Sequence, residues 1–118
     1  GYTELLKGDY AASISTLTLA ITKDPSLSKA YVNRGTAYMK TGTYDLAIHD
    51  FTSAITKGEH SYATFLNRAI CKSKTNDLAG ALADFNAAAD VKPDQSVTSA
   101  EKAKIYKLIN RYYLKYSI

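Results

Sequence analysis

Two stretches, Tyr31-Val32-Asn33-Arg34-Gly35-Thr36-Ala37 and Phe65-Leu66-Asn67-Arg68-Ala69-Ile70-Cys71, stand 34 residues apart and match place by place. The match runs on: Lys40-Thr41 falls on Lys74-Thr75, Ala47-Ile48 on Ala81-Leu82, Asp50-Phe51 on Asp84-Phe85, and Ala54 on Ala88. One period earlier, Gly8 lies under Gly42, Tyr10 under Tyr44, Ile14 under Ile48, Leu17 under Phe51, and Ala20-Ile21 under Ala54-Ile55. Pro25 and Pro93 are two periods apart, with Glu59 at the place between them. Self-similarity at a fixed period of this length marks units that bury a core only by stacking on their neighbours.

The recurring residue types suit pairs of antiparallel helices. Small residues belong where the axes approach, which assigns Gly35, Ala69, Ala47 and Ala81; large ones fill the grooves, which assigns Tyr31, Phe65, Phe51 and Phe85. Gly8, Gly42 and Asn76 mark turns, and Asp9, Thr43 and Asp77 are suited to capping the helices beside them. The pattern predicts helices at about 1–7, 10–22, 28–41, 44–57, 62–75 and 78–91, without strands. Thr98-Ser99-Ala100-Glu101 reads as a capping box that opens a seventh helix over about 98–116. Its residues Ala103, Tyr106, Ile109 and Tyr113 recur at three- and four-residue steps, and they are expected against the last hairpin.

Length and composition set the bounds. With 118 residues, 46% hydrophobic and 22% charged, the chain is expected to fold as one domain. No run approaches the roughly 18 apolar residues of a membrane span, so the chain is read as soluble. It begins at Gly1 rather than methionine, which suggests processing or excerpting; a signal or anchor would lie upstream, and the compartment is left open. The single Cys71 excludes an internal disulfide and a cysteine-based metal cluster.

Period and motif together resemble the tetratricopeptide repeat family, whose signature is a large aromatic, then Leu-Gly, Tyr, Ala, an aromatic and a closing Pro. The middle repeat matches it at Tyr31, Arg34-Gly35, Tyr38, Ala47 and Phe51, and the last at Phe65, Ala69, Ala81, Phe85 and Pro93. Arg34 and Arg68 stand where leucine is usual, Lys72 replaces the tyrosine and Glu59 the proline. The resemblance implies an all-α fold, an α-solenoid of antiparallel helical hairpins on a right-handed superhelical path with a C-terminal capping helix. Residues 1–118 then form a single tetratricopeptide domain, divided into a truncated repeat at 1–27, repeats at 28–61 and 62–95, and the capping helix at 96–118.

A protein-binding role follows from the resemblance. The first helix of each unit would line a concave face carrying Lys29, Val32, Asn33, Thr36, Met39 and Lys40, then Ala63, Leu66, Asn67, Ile70, Ser73 and Lys74. The expected function is a scaffold or adaptor that holds a protein or peptide ligand there, as an extended segment or a partner helix. Asn33 and Asn67 each offer a donor and an acceptor and could hold a peptide backbone; alternatively, each bonds a neighbouring helix carbonyl. Some members clamp a partner's terminal carboxylate with lysine, arginine and asparagine. Asn33 matches one such place, but the others fall on Ala63, Asn67 and Tyr2, so that mechanism is not expected.

Two other readings belong to different classes. The incomplete first repeat and the tyrosine-rich last helix could make a self-assembly module forming homo-oligomers. Weak nucleic-acid binding rests only on the net charge of +4 and a stripe of Lys104, Lys107, Arg111 and Lys115, which reads more simply as a solvated face. Enzyme activity and cofactors are not expected, because no phosphate loop or nucleophile motif occurs. Asp45 and His49 lie four apart but find no third metal ligand in the pattern, His60 falls in a linker, and Cys71 is read as a packing residue. Arg34 with Asp50 and Arg68 with Asp84 share one spacing and are expected as structural ion pairs.

Overall fold

The computed structural model describes the backbone of residues 2–93 and 96–116 and the side chains of residues 8–93 and 98–111. Among them are six helices and no strand: α1 (Tyr2–Lys23), α2 (Ser28–Lys40), α3 (Tyr44–Thr56), α4 (Tyr62–Lys74), α5 (Leu78–Val91) and α6 (Ser96–Tyr116). The chain has the all-α helical-repeat fold expected from its period. None of these helices is long and apolar enough to cross a membrane.

The count is six rather than seven because α1 runs through Gly8 and Asp9, where a turn and a cap were expected. Gly8 does not take the positive φ of a turn glycine, and nothing approaches the place its Cβ would occupy. A glycine in a helix interior costs only about 1 kcal/mol, less than breaking and renucleating the helix. The helices expected at about 1–7 and 10–22 are therefore one, and the side chains of residues 1–7 lie outside the described residues.

Two compact units result, Gly1–His60 and Ser61–Ile118. In the first, α1 packs on α2 and α2 on α3; in the second, α4 packs on α5 and α5 on α6. The tight turns are copies of one another. Gly42 takes φ +79° and Asn76 φ +68°, the left-handed conformation that glycine and asparagine tolerate best. The next residue's N–H then reaches back to the preceding helix: Thr43 to the Tyr38 carbonyl at 2.9 Å, Asp77 to that of Lys72 at 2.8 Å. Asp77 also caps α5, accepting the Gly80 N–H at 3.0 Å, whereas Thr43 makes no side-chain cap bond and its hydroxyl pairs with Thr41 at 3.1 Å. Glu59 is explained here. Its N–H, which a proline would lack, donates to the Ala54 carbonyl at 3.0 Å and closes α3.

Phe51 is fully buried with Ala47 and Ala54, and a Cβ on Gly35 would come within 3.0 Å of its ring. In the second unit Phe85, Ala69, Ala81 and Ile105 form the core, flanked by Leu66, Ile70, Leu78, Leu82 and Ile109. Burying such a phenylalanine contributes about 1.5–3 kcal/mol. Tyr31 and Tyr38, also expected in the core, are only half-buried: the Arg34 guanidinium lies 5.8 Å and 6.0 Å from their ring centroids, and a charged neighbour holds them at the rim.

The last helix differs from expectation in start and face. It begins at Ser96, so Thr98 is not its cap. Thr98 is buried, with its hydroxyl 3.0 Å from that of Tyr62, and Ile105 fills the core. Ala103 and Tyr106, expected inward, are exposed; Ile109 is half-buried, and Tyr113 lies outside the described side chains. The reason is that the period continues. Thr98 and Ile105 stand one period after Thr64 and Cys71 and two after Ala30 and Ala37, all of them buried.

Candidate peptide-binding face

At about 100° per residue, Lys29, Val32, Asn33, Thr36, Met39 and Lys40 form one stripe on α2, on the side away from Arg34, Gly35 and Tyr38. Lys29, Asn33 and Lys40 are exposed; Val32, Thr36 and Met39 are half-buried. The Thr36 hydroxyl donates to the Val32 carbonyl at 2.8 Å, and the Lys29 ammonium lies 3.9 Å from the Glu59 carboxylate. On α4 the same places hold Ala63 and Lys74, exposed, and Leu66, Asn67, Ile70 and Ser73, half-buried. Leu66 and Ile70 also pack against the Phe85 and Ile105 core, which ties that stripe to the interior.

Among the described residues neither the Asn33 nor the Asn67 side-chain amide makes a hydrogen bond, so neither holds a helix carbonyl.

Behind each stripe a charge cluster fixes the first helix to the second. Arg34 donates to both carboxylate oxygens of Asp50 at 2.8 and 2.7 Å, and its third nitrogen lies 3.2 Å from the Thr18 hydroxyl of α1. The bonds to Asp50 hold the guanidinium pKa above its ordinary value. Arg68 grips Asp84 in the same two-pronged way at 2.7 and 2.7 Å, and Lys72 adds a third contact at 3.0 Å. Three departures from the family signature, Arg34, Arg68 and Lys72, thus converge on two buried aspartates. The expected ion pairs are present, and the role of Lys72 is one that spacing alone did not reveal. The Lys57 ammonium sits 5.4 Å from the Tyr31 ring centroid, a second contact that sequence reading missed.

The α6 helix extends the stripe in the second unit. Glu101, Lys104 and Lys107 stand one period after Asn67, Ile70 and Ser73, and Lys104 pairs with Glu101 at 3.1 Å. The signal was available in the sequence, since a third copy of the period covers these residues.

Cys71 is buried, and desolvation pushes its thiol pKa up from 9.0 to about 11, the environment of a packing residue. Asp45 and His49 are both exposed, and no three His, Cys, Asp or Glu side chains among the described residues converge as metal ligands.

Residues 28–56, which span α2, its turn and α3, match the sequence profile of the tetratricopeptide repeat. The chain contains a tetratricopeptide repeat there. Solved structures of similar fold include tetratricopeptide domains. The first tetratricopeptide domain of Spaghetti (RPAP3), bound to the HSP90 peptide SRMEEVD, is 20% identical with a TM-score of 0.83, covering 93% of this chain and 87% of that one. The second such domain of human RPAP3, in complex with the HSP70 peptide SGPTIEEVD, is 27% identical with a TM-score of 0.78 over 84% of this chain and 82% of that one. The Yersinia enterocolitica type III secretion chaperone SycD, in complex with a peptide of the translocator YopD, is 18% identical with a TM-score of 0.69, covering 97% and 87%. No curated protein matches this chain in sequence.

Proposed function

We propose that this protein is an interaction scaffold that holds extended peptides of partner proteins on the exposed stripes of its first helices. The contact residues are Lys29, Val32, Asn33, Thr36, Met39 and Lys40 on α2, and Ala63, Leu66, Asn67, Ile70 and Lys74 on α4. The observation that carries this reading is that each unit has on its first helix an asparagine, Asn33 or Asn67, whose amide makes no hydrogen bond to the described residues. Each can donate to and accept from a peptide backbone without demanding a side chain, while half-buried Val32, Met39, Leu66 and Ile70 supply apolar contact. Lys74, Lys104 and Lys107, all exposed in the second unit, favour acidic side chains in the ligand. Two of the similar structures hold peptides with two consecutive glutamates, which agrees with that preference. The full carboxylate clamp is not assembled from Asn33, Ala63 and Asn67, so recognition rests on the peptide backbone and acidic side chains rather than on a free C-terminus.

Peptides selected from a random display library, then titrated while amide chemical shifts are followed, test the reading. The shifts should cluster on the stripes of α2 and α4. Asn67→Ala and Asn33→Ala should each weaken binding about twofold to tenfold, the effect of losing a hydrogen bond or two. Shifts confined to the outer faces of α3 and α5, or unchanged affinity in both variants, would refute it.

A further inference from the structure

In the second unit the stripe of α4 has a neighbour on α6. The two helices meet where the Tyr62 hydroxyl lies 3.0 Å from that of Thr98, and Leu66 and Ile70 pack on the core that Ile105 completes. Charge on this pair of helices is one-sided. Arg68 and Lys72 are committed to Asp84, which leaves Lys74, Lys102, Lys104, Lys107 and Arg111 as the cations of the remaining surface. Against them stands a single carboxylate among the described residues of α4 and α6, that of Glu101.

Glu101 is one period after Asn67, at the place on α6 that answers to the unbonded amide on α4. Its side chain is 27% exposed and accepts a hydrogen bond from the Lys104 ammonium at 3.1 Å, while Lys104 is 69% exposed. Lys104 therefore reaches the surface already paired. Lys74 and Lys107 make no ion pair among the described residues.

We infer that a carboxylate of the bound peptide takes the place of Glu101 on Lys104, which makes Glu101 a built-in competitor that sets how acidic a ligand must be. This rests on the scaffold reading above and adds a specificity residue to it. The exchange keeps the charge balanced, since one carboxylate replaces another on the same ammonium and Glu101 is released to solvent. An exposed pair of this kind is weak enough to give way: its loss shifts an equilibrium by about fivefold at most. A ligand carboxylate held near Lys104 by its neighbours' contacts with Leu66, Asn67 and Ile70 has a high effective concentration there. A free carboxylate lacks that advantage. Lys74 and Lys107 thus attract any anion, whereas Lys104 answers to an acidic side chain delivered in register.

Two double-mutant cycles followed by titration calorimetry are the test. The probe is a glutamate-containing peptide selected on the wild-type chain from the display library, made again with each glutamate in turn replaced by glutamine. Glu101→Gln should tighten the parent peptide about twofold to fivefold, and the gain should vanish for one of the glutamine peptides. Lys104→Gln should weaken the parent by a similar factor, and that loss should vanish for the same glutamine peptide. Glu101→Gln keeps the side chain's shape and Lys104 is exposed, so both variants should fold as the wild type does, which circular dichroism checks. No gain from Glu101→Gln, or an equal gain for every peptide, overturns the inference. So does a selection whose binders contain no acidic residue, an outcome that leaves the scaffold reading standing. Chemical shifts that move away from the stripes in the wild-type chain refute the scaffold reading, and the inference with it.

Discussion

Removing the Asp84 carboxylate by Asp84→Ala probes the strongest polar joint between α4 and α5. That carboxylate accepts two bonds from Arg68 at 2.7 Å each, and a third contact from Lys72 at 3.0 Å, with its side chain only 5% exposed. Breaking a buried ion pair from one side costs about 3–5 kcal/mol, because the remaining cation stays desolvated. The Arg68 side chain retains 15% exposure, so some water reaches it and the loss should fall near the lower end, about 3 kcal/mol. Urea denaturation followed by circular dichroism should show the midpoint fall by about 1–3 M, given slopes of about 1–3 kcal/mol per molar for small domains. The double variant Arg68→Met with Asp84→Leu should recover most of the loss, since apolar replacements of a buried pair are often neutral. A loss under about 1 kcal/mol for Asp84→Ala, within the range of surface substitutions, would refute the argument that this joint holds the hairpin.

Phe85→Ala should destabilise the chain by about 3–5 kcal/mol in the same assay, because it empties a core site that Ala69, Ala81 and Ile105 enclose. Gly8→Ala should raise stability by up to about 1 kcal/mol; a loss would mean that Gly8 serves a turn and that α1 is not continuous. The folded thiol of Cys71 keeps its proton from the ordinary value of 9.0 up to about 11, so the folded state binds the extra proton in that window and stability falls as pH rises through it. Two pH units correspond to about 3 kcal/mol, and Cys71→Ala should remove that part of the alkaline loss measured by urea titration at successive pH values.

Much of the candidate stripe was legible because a helix face is a matter of spacing. Lys29, Asn33, Thr36 and Lys40 share a side of α2 by arithmetic alone, and the structure finds that stripe exposed or half-exposed. What spacing could not tell is how deep each residue sits. Leu66 and Ile70 lie on the corresponding stripe of α4 yet lean on the core of Ala69, Ala81, Phe85 and Ile105. The free amides of Asn33 and Asn67 were likewise beyond the sequence, since hydrogen bonding depends on which carbonyls lie within reach.

The sequence by itself determined the period, and with it the helix class, the small-on-large pairs Gly35 with Phe51 and Ala69 with Phe85, the turns at Gly42 and Asn76, and the Arg and Asp partners. All of these are local or repeat from one unit to the next, and two copies of a pattern confirm each other. Only the tertiary structure decided what happens where the copies run out. At α1 the turn residues Gly8 and Asp9 carry the same letters as a real turn, but a helix continues through them because a glycine costs less than a new helix end. At α6 a convincing capping box, Thr98 to Glu101, gives way to a helix that starts earlier and buries Thr98 against Tyr62. Packing chooses the face of a terminal helix, since its one neighbour can be met by more than one apolar stripe and burial of Ile105 outweighs local capping chemistry.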